Sequence, residues 1–571
     1  MTNLRHEWRL FRLLWKSSSG HLLDSEVLSP GGSMAESAAN ALSVLVAFGL
    51  AVSMLLLRKY VFGAWARSGL PIEAITWPDK QYLIAAAMLA TGFVVVMTWD
   101  GLFPDRREAM VVCPMPVPMR ALFAARVAAL AGILAGVVAA ANLATCIAFP
   151  TFMMSAERPA MGWVPYALVH AGIVVGASAF TFLALLALEG ALILALPYRW
   201  FRHVSAWVQL AILFLLLFVF VLEPNATPQW MADPSNRVLV RLLPPVWFTA
   251  LYQELLGTTS AALQEPGALA RWATAAAAIL AALMYTLGYR KAVRKALEEG
   301  DTLHAARGER RAHWVAGVLR LLGGGGIRGA VFGFVARTVV RHPRNRLILA
   351  AYLSLALGYT LGDVAELVRR GAWQLYTPSA GVVAVSLVLV FFTLLGMRVL
   401  FTIPVELKAN WLFRITEGCQ VAGYRAGARR AMFWLGAAPI CACALLAYAL
   451  LWGWYYAALH TAMLLLVSLL LIAILTHGFI KIPFTCSFLP GRASLKTRLG
   501  AWAIVFSFTT LALTHLEVVL LFHPQLYAFV FAAGCAALAL LAADRRSFDR
   551  RQPGMVYEES GETVLRLGLA G

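Results

Sequence analysis

Stretches without Asp, Glu, Lys or Arg recur along the chain, and several exceed the roughly 20 apolar residues that cross a bilayer as a helix. Ser37–Leu57, Val127–Ala156, Pro159–Leu188, Gly371–Met397 and Val518–Ala543 are such runs. Ala431–Ile480 is one of fifty residues, with room for two spans and a turn near Gly453. Ala, Leu and Val follow one another in these runs without alternating, which favours helices over a transmembrane β-barrel. The pattern predicts an all-α, polytopic helical membrane protein with about twelve transmembrane helices. The expected spans are 38–57, 80–98, 121–148, 164–196, 204–222, 268–289, 346–362, 377–401, 432–452, 457–478, 501–521 and 525–543. A basic stretch, 290–345, separates two six-helix halves, 38–289 and 346–543. It starts with a basic helix, RKAVRKALEE, and holds the run Gly323–Gly326, expected to be flexible.

Composition agrees with this class. Of 571 residues, 61% are hydrophobic and 13% charged, against about 25% charged in an average soluble domain. That balance excludes a soluble multidomain enzyme and a disordered chain. The net charge of +19 would point to nucleic acid in a soluble protein. In a membrane protein it marks cytoplasmic loops and contacts with anionic lipid, so no nucleic-acid partner is expected. The seven cysteines show no zinc-finger spacing.

Loop charge sets the orientation. With the N-terminus in the cytoplasm, 36 of the 48 Lys and Arg fall on inner segments, against 10 on or bordering outer ones. Both termini are then cytoplasmic, as in a multi-pass protein of a bacterial inner membrane. In the lead-in, 1–37, Leu4, Trp8, Phe11 and Trp15 share one helical face, as in an interfacial helix. Arg58 and Lys59 stand on an outer loop and are expected to snorkel. The tail, 544–571, opens with Arg545, Arg546, Arg550 and Arg551, which anchor it to the inner leaflet.

Three inner segments have the make-up of elbows that dock a soluble partner. In the first, Asp105, Arg106 and Arg107 keep the chain in water, and Pro114, Pro116 and Pro118 force an extended turn before Arg120 opens the next span. The second is amphipathic, with Trp411 on one face and Glu406, Lys408 and Arg414 elsewhere. The third has its turns fixed by Pro483 and Pro490. Each half places its largest inner loop between its second and third spans (99–120 and 402–431), an arrangement that suggests duplication. On the outer side, Pro244–Pro245 precede a short helix whose Trp247, Phe248 and Tyr252 are expected in the interfacial aromatic belt.

The combination of WDGLFPDRRE, PMPVPMRALFAAR, LPPVWFTALYQELLG, VELKANWLFRITE and IPFTCSFLPG resembles bacterial membrane permeases of the type-2 ATP-binding-cassette exporter class. The resemblance implies export driven by a separate ATP-binding-cassette ATPase subunit that binds ATP and Mg, with the elbows transmitting its closure. The family's common subunit has six spans, whereas twelve are expected here.

Missing motifs narrow the chemistry. There is no G-x-x-x-x-G-K-[ST], and Gly323–Gly326 is followed by Ile327 and Arg328. The chain is therefore expected to bind no cofactor and to hydrolyse no ATP itself. H-E-x-x-H and a nucleophile elbow are also missing. Ionisable residues inside spans are the remaining candidates. Arg126 and Glu189 fall roughly 10 Å from the inner ends of neighbouring spans and are expected to pair. Glu517 and His515 lie near an outer end; His170, His460 and His477 are scattered, and Arg398 is expected to snorkel. Two competing readings use these groups. One is a proton-coupled secondary transporter relying on Glu189, Glu517 or the histidines. The other is a lipid-active transferase with His477 or His515 as base.

Overall fold

The computed structural model describes residues 34–60, 72–99, 102–103, 119–157, 161–221, 227–258, 260–298, 317, 321–371, 376–403, 413, 415, 421–477, 479, 482–485, 509–510, 512–551 and 554–555. Among these there is no strand. Contacts divide the chain into two compact units, Met1–Thr302 and Leu303–Gly571.

The first unit contains α1 (Met34–Tyr60), α2 (Ile72–Met97), α3 (Met119–Ala156), α4 (Trp163–Ala195), α5 (Tyr198–Val221), α6 (Pro228–Ala232), α7 (Arg237–Leu242), α8 (Pro244–Leu255) and α9 (Ala261–Glu298). α1 packs on α3, and α9 on α4 and α8. Small residues allow the close approach of α4 to α9: a Cβ on Gly190 would stand 2.8 Å from Met284 O. Between apolar helices in lipid, such backbone proximity supplies the van der Waals contact that holds them together. The basic segment after residue 289 continues α9 without a break, and Lys291 Nζ donates to Leu194 O at the end of α4. A cation there satisfies one of the carbonyls a helix leaves open at its C-terminus.

The second unit contains α10 (Gly326–Arg341), α11 (Pro343–Gly371), α12 (Ala380–Leu400), α13 (Val421–Ala431), α14 (Ala438–Trp452), α15 (Trp454–Leu475), α16 (Ala512–Leu521) and α17 (Pro524–Arg551). A π-helical turn, Met432–Ala437, joins α13 to α14. Gly453, at φ 81°, makes the sharp turn into α15 at the predicted place. Part of the stretch assigned to the linker is folded structure. Phe332 and Val335 of α10 are fully buried in this unit's core. Gly324, ahead of α10, and Gly326, its first residue, take positive φ (76° and 66°), and Arg430 donates to Leu322 O beside them. The glycine run thus forms a shaped turn against α13.

Eight helices among the described residues are long and apolar enough to cross a membrane, four in each unit. Their outer surfaces carry large apolar side chains open to the surroundings, including Trp272, Ile279, Leu450, Phe529 and Leu540. Water would penalise such a surface, whereas lipid tails would not. The other four expected spans fall on α1, α5, α11 and 501–521. α5 has a shorter apolar part, Val204–Phe220, and 501–521 contains α16.

Candidate functional site

In the first unit, the chain leaves α2 through a buried turn. Trp99, Leu102 and Phe103 are nearly inaccessible. Tyr285 of α9 donates to Leu102 O at 3.2 Å, and Arg126 of α3 donates to Phe103 O at 3.2 Å. The Phe103 ring lies 4.9 Å from Tyr285, while Phe123 stands 5.5 Å from Tyr285 and 5.3 Å from Tyr289. The hydrogen bonds satisfy carbonyls of the turn itself, which are buried away from water. The turn at Leu102 and Phe103 is thereby fixed against α3 and α9.

The second unit repeats the device. Phe401 and Ile403, just past α12, are buried. Phe401 packs 6.2 Å from Phe479 and 5.8 Å from Phe484. Phe484 lies 6.4 Å from Phe334 of α10, which is 5.2 Å from Phe413; Phe413 is 6.2 Å from Tyr424 of α13. This cluster joins two segments predicted as separate elbows, because Phe413 belongs to the second and Phe484 to the third. Phe484 has φ 66°, a left-handed conformation rare for a bulky residue. Such strain costs about 1–3 kcal/mol and persists only where the surroundings enforce it. Pro483 beside it is buried.

The remaining elbow residues, Asp105, Arg106, Arg107, Pro114, Pro116, Pro118, Glu406, Lys408, Trp411, Arg414 and Pro490, lie outside the described residues. Arg120 stands in the first turn of α3. The interfacial helix predicted at 4–15 and most of the tail also lie outside the described residues.

The intramembrane ionisable groups are placed as follows. Arg126 and Glu189 are both buried, and Arg126 donates to the Phe103 turn. His515 is exposed on α16 while Glu517, two residues on, is buried, since a spacing of two puts side chains on different helix faces. Arg398 bends inward, donating from Nε to Leu475 O at 2.8 Å over the Phe479 ring. His477 contacts the exposed Asp544 at 3.0 Å.

Two buried polar networks carry the rest. In the first unit, Lys80 of α2 pairs with Glu157 at 2.8 Å, with side-chain exposures of 2% and 14%. Tyr166 donates to Glu157 at 3.2 Å. Tyr252 of α8 hydrogen-bonds His170 Nδ1 at 3.0 Å. The Lys80 ammonium faces the rings of Tyr166 and Tyr252 at 6.0 and 5.7 Å. Beside this network, Lys59 pairs with Asp79 at 2.7 Å, and Tyr60 donates to Asp79 at 2.6 Å. Burial, and then Asp79, push the Tyr60 hydroxyl well above the usual tyrosine range, so it remains a donor. Phe248 and Tyr252 are buried, not in an interfacial belt, because α8 packs them against α2, α4 and α9.

In the second unit, His460 of α15 bridges two helices. Its Nδ1 lies 2.7 Å from Glu517 Oε1 on α16, and its Nε2 lies 2.8 Å from Ser386 Oγ on α12. Tyr448 is edge-on to the imidazole at 4.7 Å, and Trp452 stacks on Tyr448 at 4.4 Å.

Sequence reading missed Lys80, Glu157 and Ser386. Lys80 borders an apolar run as its one cation and could have been flagged on that ground; Ser386 gave no signal. No family model, curated protein or solved structure matches the chain.

Proposed function

We propose that this chain is the membrane permease of an ATP-driven exporter, working with a separate ATP-binding-cassette ATPase. In this reading twelve spans form two six-helix halves in a bacterial inner membrane, with both termini in the cytoplasm. ATP and Mg are bound and consumed by the partner. The chain supplies the pathway and the two inner elbows.

The observation that supports this reading is the pair of aromatic-locked turns at Phe103 and Phe401. Each stands where a charged loop leaves the second span of its half. A loop starting from a buried, hydrogen-bonded turn passes force to its helices, whereas one starting from a frayed helix end would absorb it. Shifting a two-state transporter from 1:99 to 99:1 takes about 5.5 kcal/mol of differential binding. The ATPase would supply that difference through its nucleotide-dependent grip on the elbows.

Photocrosslinking residues placed at Arg107 and Lys408 in the native host test this reading. The expected product is a discrete adduct with a protein containing a nucleotide-binding loop, formed from both positions. Adducts only with lipid, or with no ATPase, would overturn it.

A further inference from the structure

The Ser386–His460–Glu517 chain contains more information than a static helix contact. Its three members come from α12, α15 and α16, and all are buried, His460 completely. Ser386 Oγ also lies 3.2 Å from Val383 O. A hydroxyl has one hydrogen to give. When that hydrogen goes to Val383 O, Ser386 Oγ faces Nε2 as an acceptor, and Nε2 must carry a proton. The 2.7 Å contact between Nδ1 and Glu517 then needs a proton of its own, since a bare ring nitrogen and a carboxylate would repel. In that arrangement the site is electrically neutral.

The same heavy atoms fit a second arrangement with one proton fewer. Nε2 loses its proton, and the Ser386 hydroxyl turns from Val383 O to the freed lone pair. Nδ1 keeps its hydrogen and donates it to the Glu517 carboxylate. The site then bears one negative charge, and each contact is still a proper hydrogen bond. We propose that Ser386, His460 and Glu517 form a binding site for a single exchangeable proton, with the Ser386 hydroxyl as the rotor that accommodates both states. A proton is the fitting ligand because gaps of 2.7 and 2.8 Å are hydrogen-bond separations that leave no space for a metal ion between the donors.

The surroundings isolate the site. From α14, Tyr448 packs on the imidazole and donates to Val382 O at 2.7 Å. From α17, Tyr527 donates to Leu459 O at 2.7 Å. Glu517 acts electrostatically on both tyrosine hydroxyls. Arg398 of α12 and the His477–Asp544 pair stand at the far end of α15, about four turns away. His515 and His523, on or next to α16, are exposed. Because the site links three helices, losing the proton places a charge among them and changes how they hold together. The inference does not depend on an ATPase partner.

Ring-nitrogen NMR tests it, using the full chain labelled with 15N-histidine in lipid nanodiscs and His460→Gln to assign the signal. At lower pH Nε2 of His460 should be protonated. As pH rises, Nε2 should lose its proton and Nδ1 should carry one. A pH indicator should record one more proton released per chain from the parent protein than from the double variant His460→Gln, Glu517→Gln. Ser386→Ala, which leaves both titrating groups in place, should still titrate but at a shifted midpoint. A His460 ring whose protonation does not change while the protein stays folded would overturn the site. An unshifted midpoint in Ser386→Ala would remove the rotor.

Discussion

Nη2 of Arg126 lies 3.2 Å from the carbonyl oxygen of Phe103. This bond joins the start of one long apolar helix to the turn that ends another, where the first charged loop begins. Replacing Arg126 by Gln should weaken the first unit by about 1.5–3 kcal/mol, the usual value of a hydrogen bond to a charged group. Thermal unfolding in nanodiscs would read this as a lower midpoint. Lysine should not restore it fully, because an ammonium lacks the planar fork of a guanidinium.

The Lys80–Glu157 pair is suited to a double-mutant cycle. Lys80→Met alone leaves a carboxylate with its ion partner gone, and Glu157→Gln alone leaves a buried ammonium. Each should cost about 3–5 kcal/mol. The double variant should be nearer to the parent than either single, since no lone charge is left. Unfolding midpoints of the four proteins give the coupling energy.

Gly190 and Gly172 form a matched test of helix approach. Gly190→Ala would bring a Cβ to 2.8 Å from Met284 O, whereas at Gly172 nothing stands within 4 Å. The expected loss at Gly190 is about 1–3 kcal/mol, as for other overpacked sites. Gly172→Ala should be neutral or slightly stabilising, because alanine is the better helix former.

Phe103→Ala and Phe401→Ala address the elbows themselves. Truncating a buried phenylalanine costs about 3–5 kcal/mol, here confined to a turn at the end of a helical bundle. If the proposed ATPase grips the elbows, both variants should still reach the membrane and co-purify with it, while nucleotide no longer alters the protection of the spans from cysteine reagents. Retained coupling in both variants would mean the turns do not transmit force.

The helical class was legible because uncharged runs such as Ala431–Ile480 have no other stable solution in a bilayer. The turn at Gly453 was legible because glycine alone interrupts that run cheaply. Tertiary pairings were not. Glu517 could be singled out by its charge, but its partner is His460, 57 positions away, and His515 close by in sequence points elsewhere. Phe248 and Tyr252 match the composition of an interfacial belt, and only the packing of α8 shows that they turn inward.

The central claim is that these helices are driven by an ATPase held at the elbows. It is tested most directly by measuring ATP hydrolysis in a complex purified through this chain and reconstituted in nanodiscs. Hydrolysis that co-elutes with the chain, and is lost together with the ATPase subunit when Arg106 and Arg107 are both changed to Glu, is the expected result. A chain that purifies alone and shows no hydrolysis, even after crosslinking before lysis, would contradict the claim.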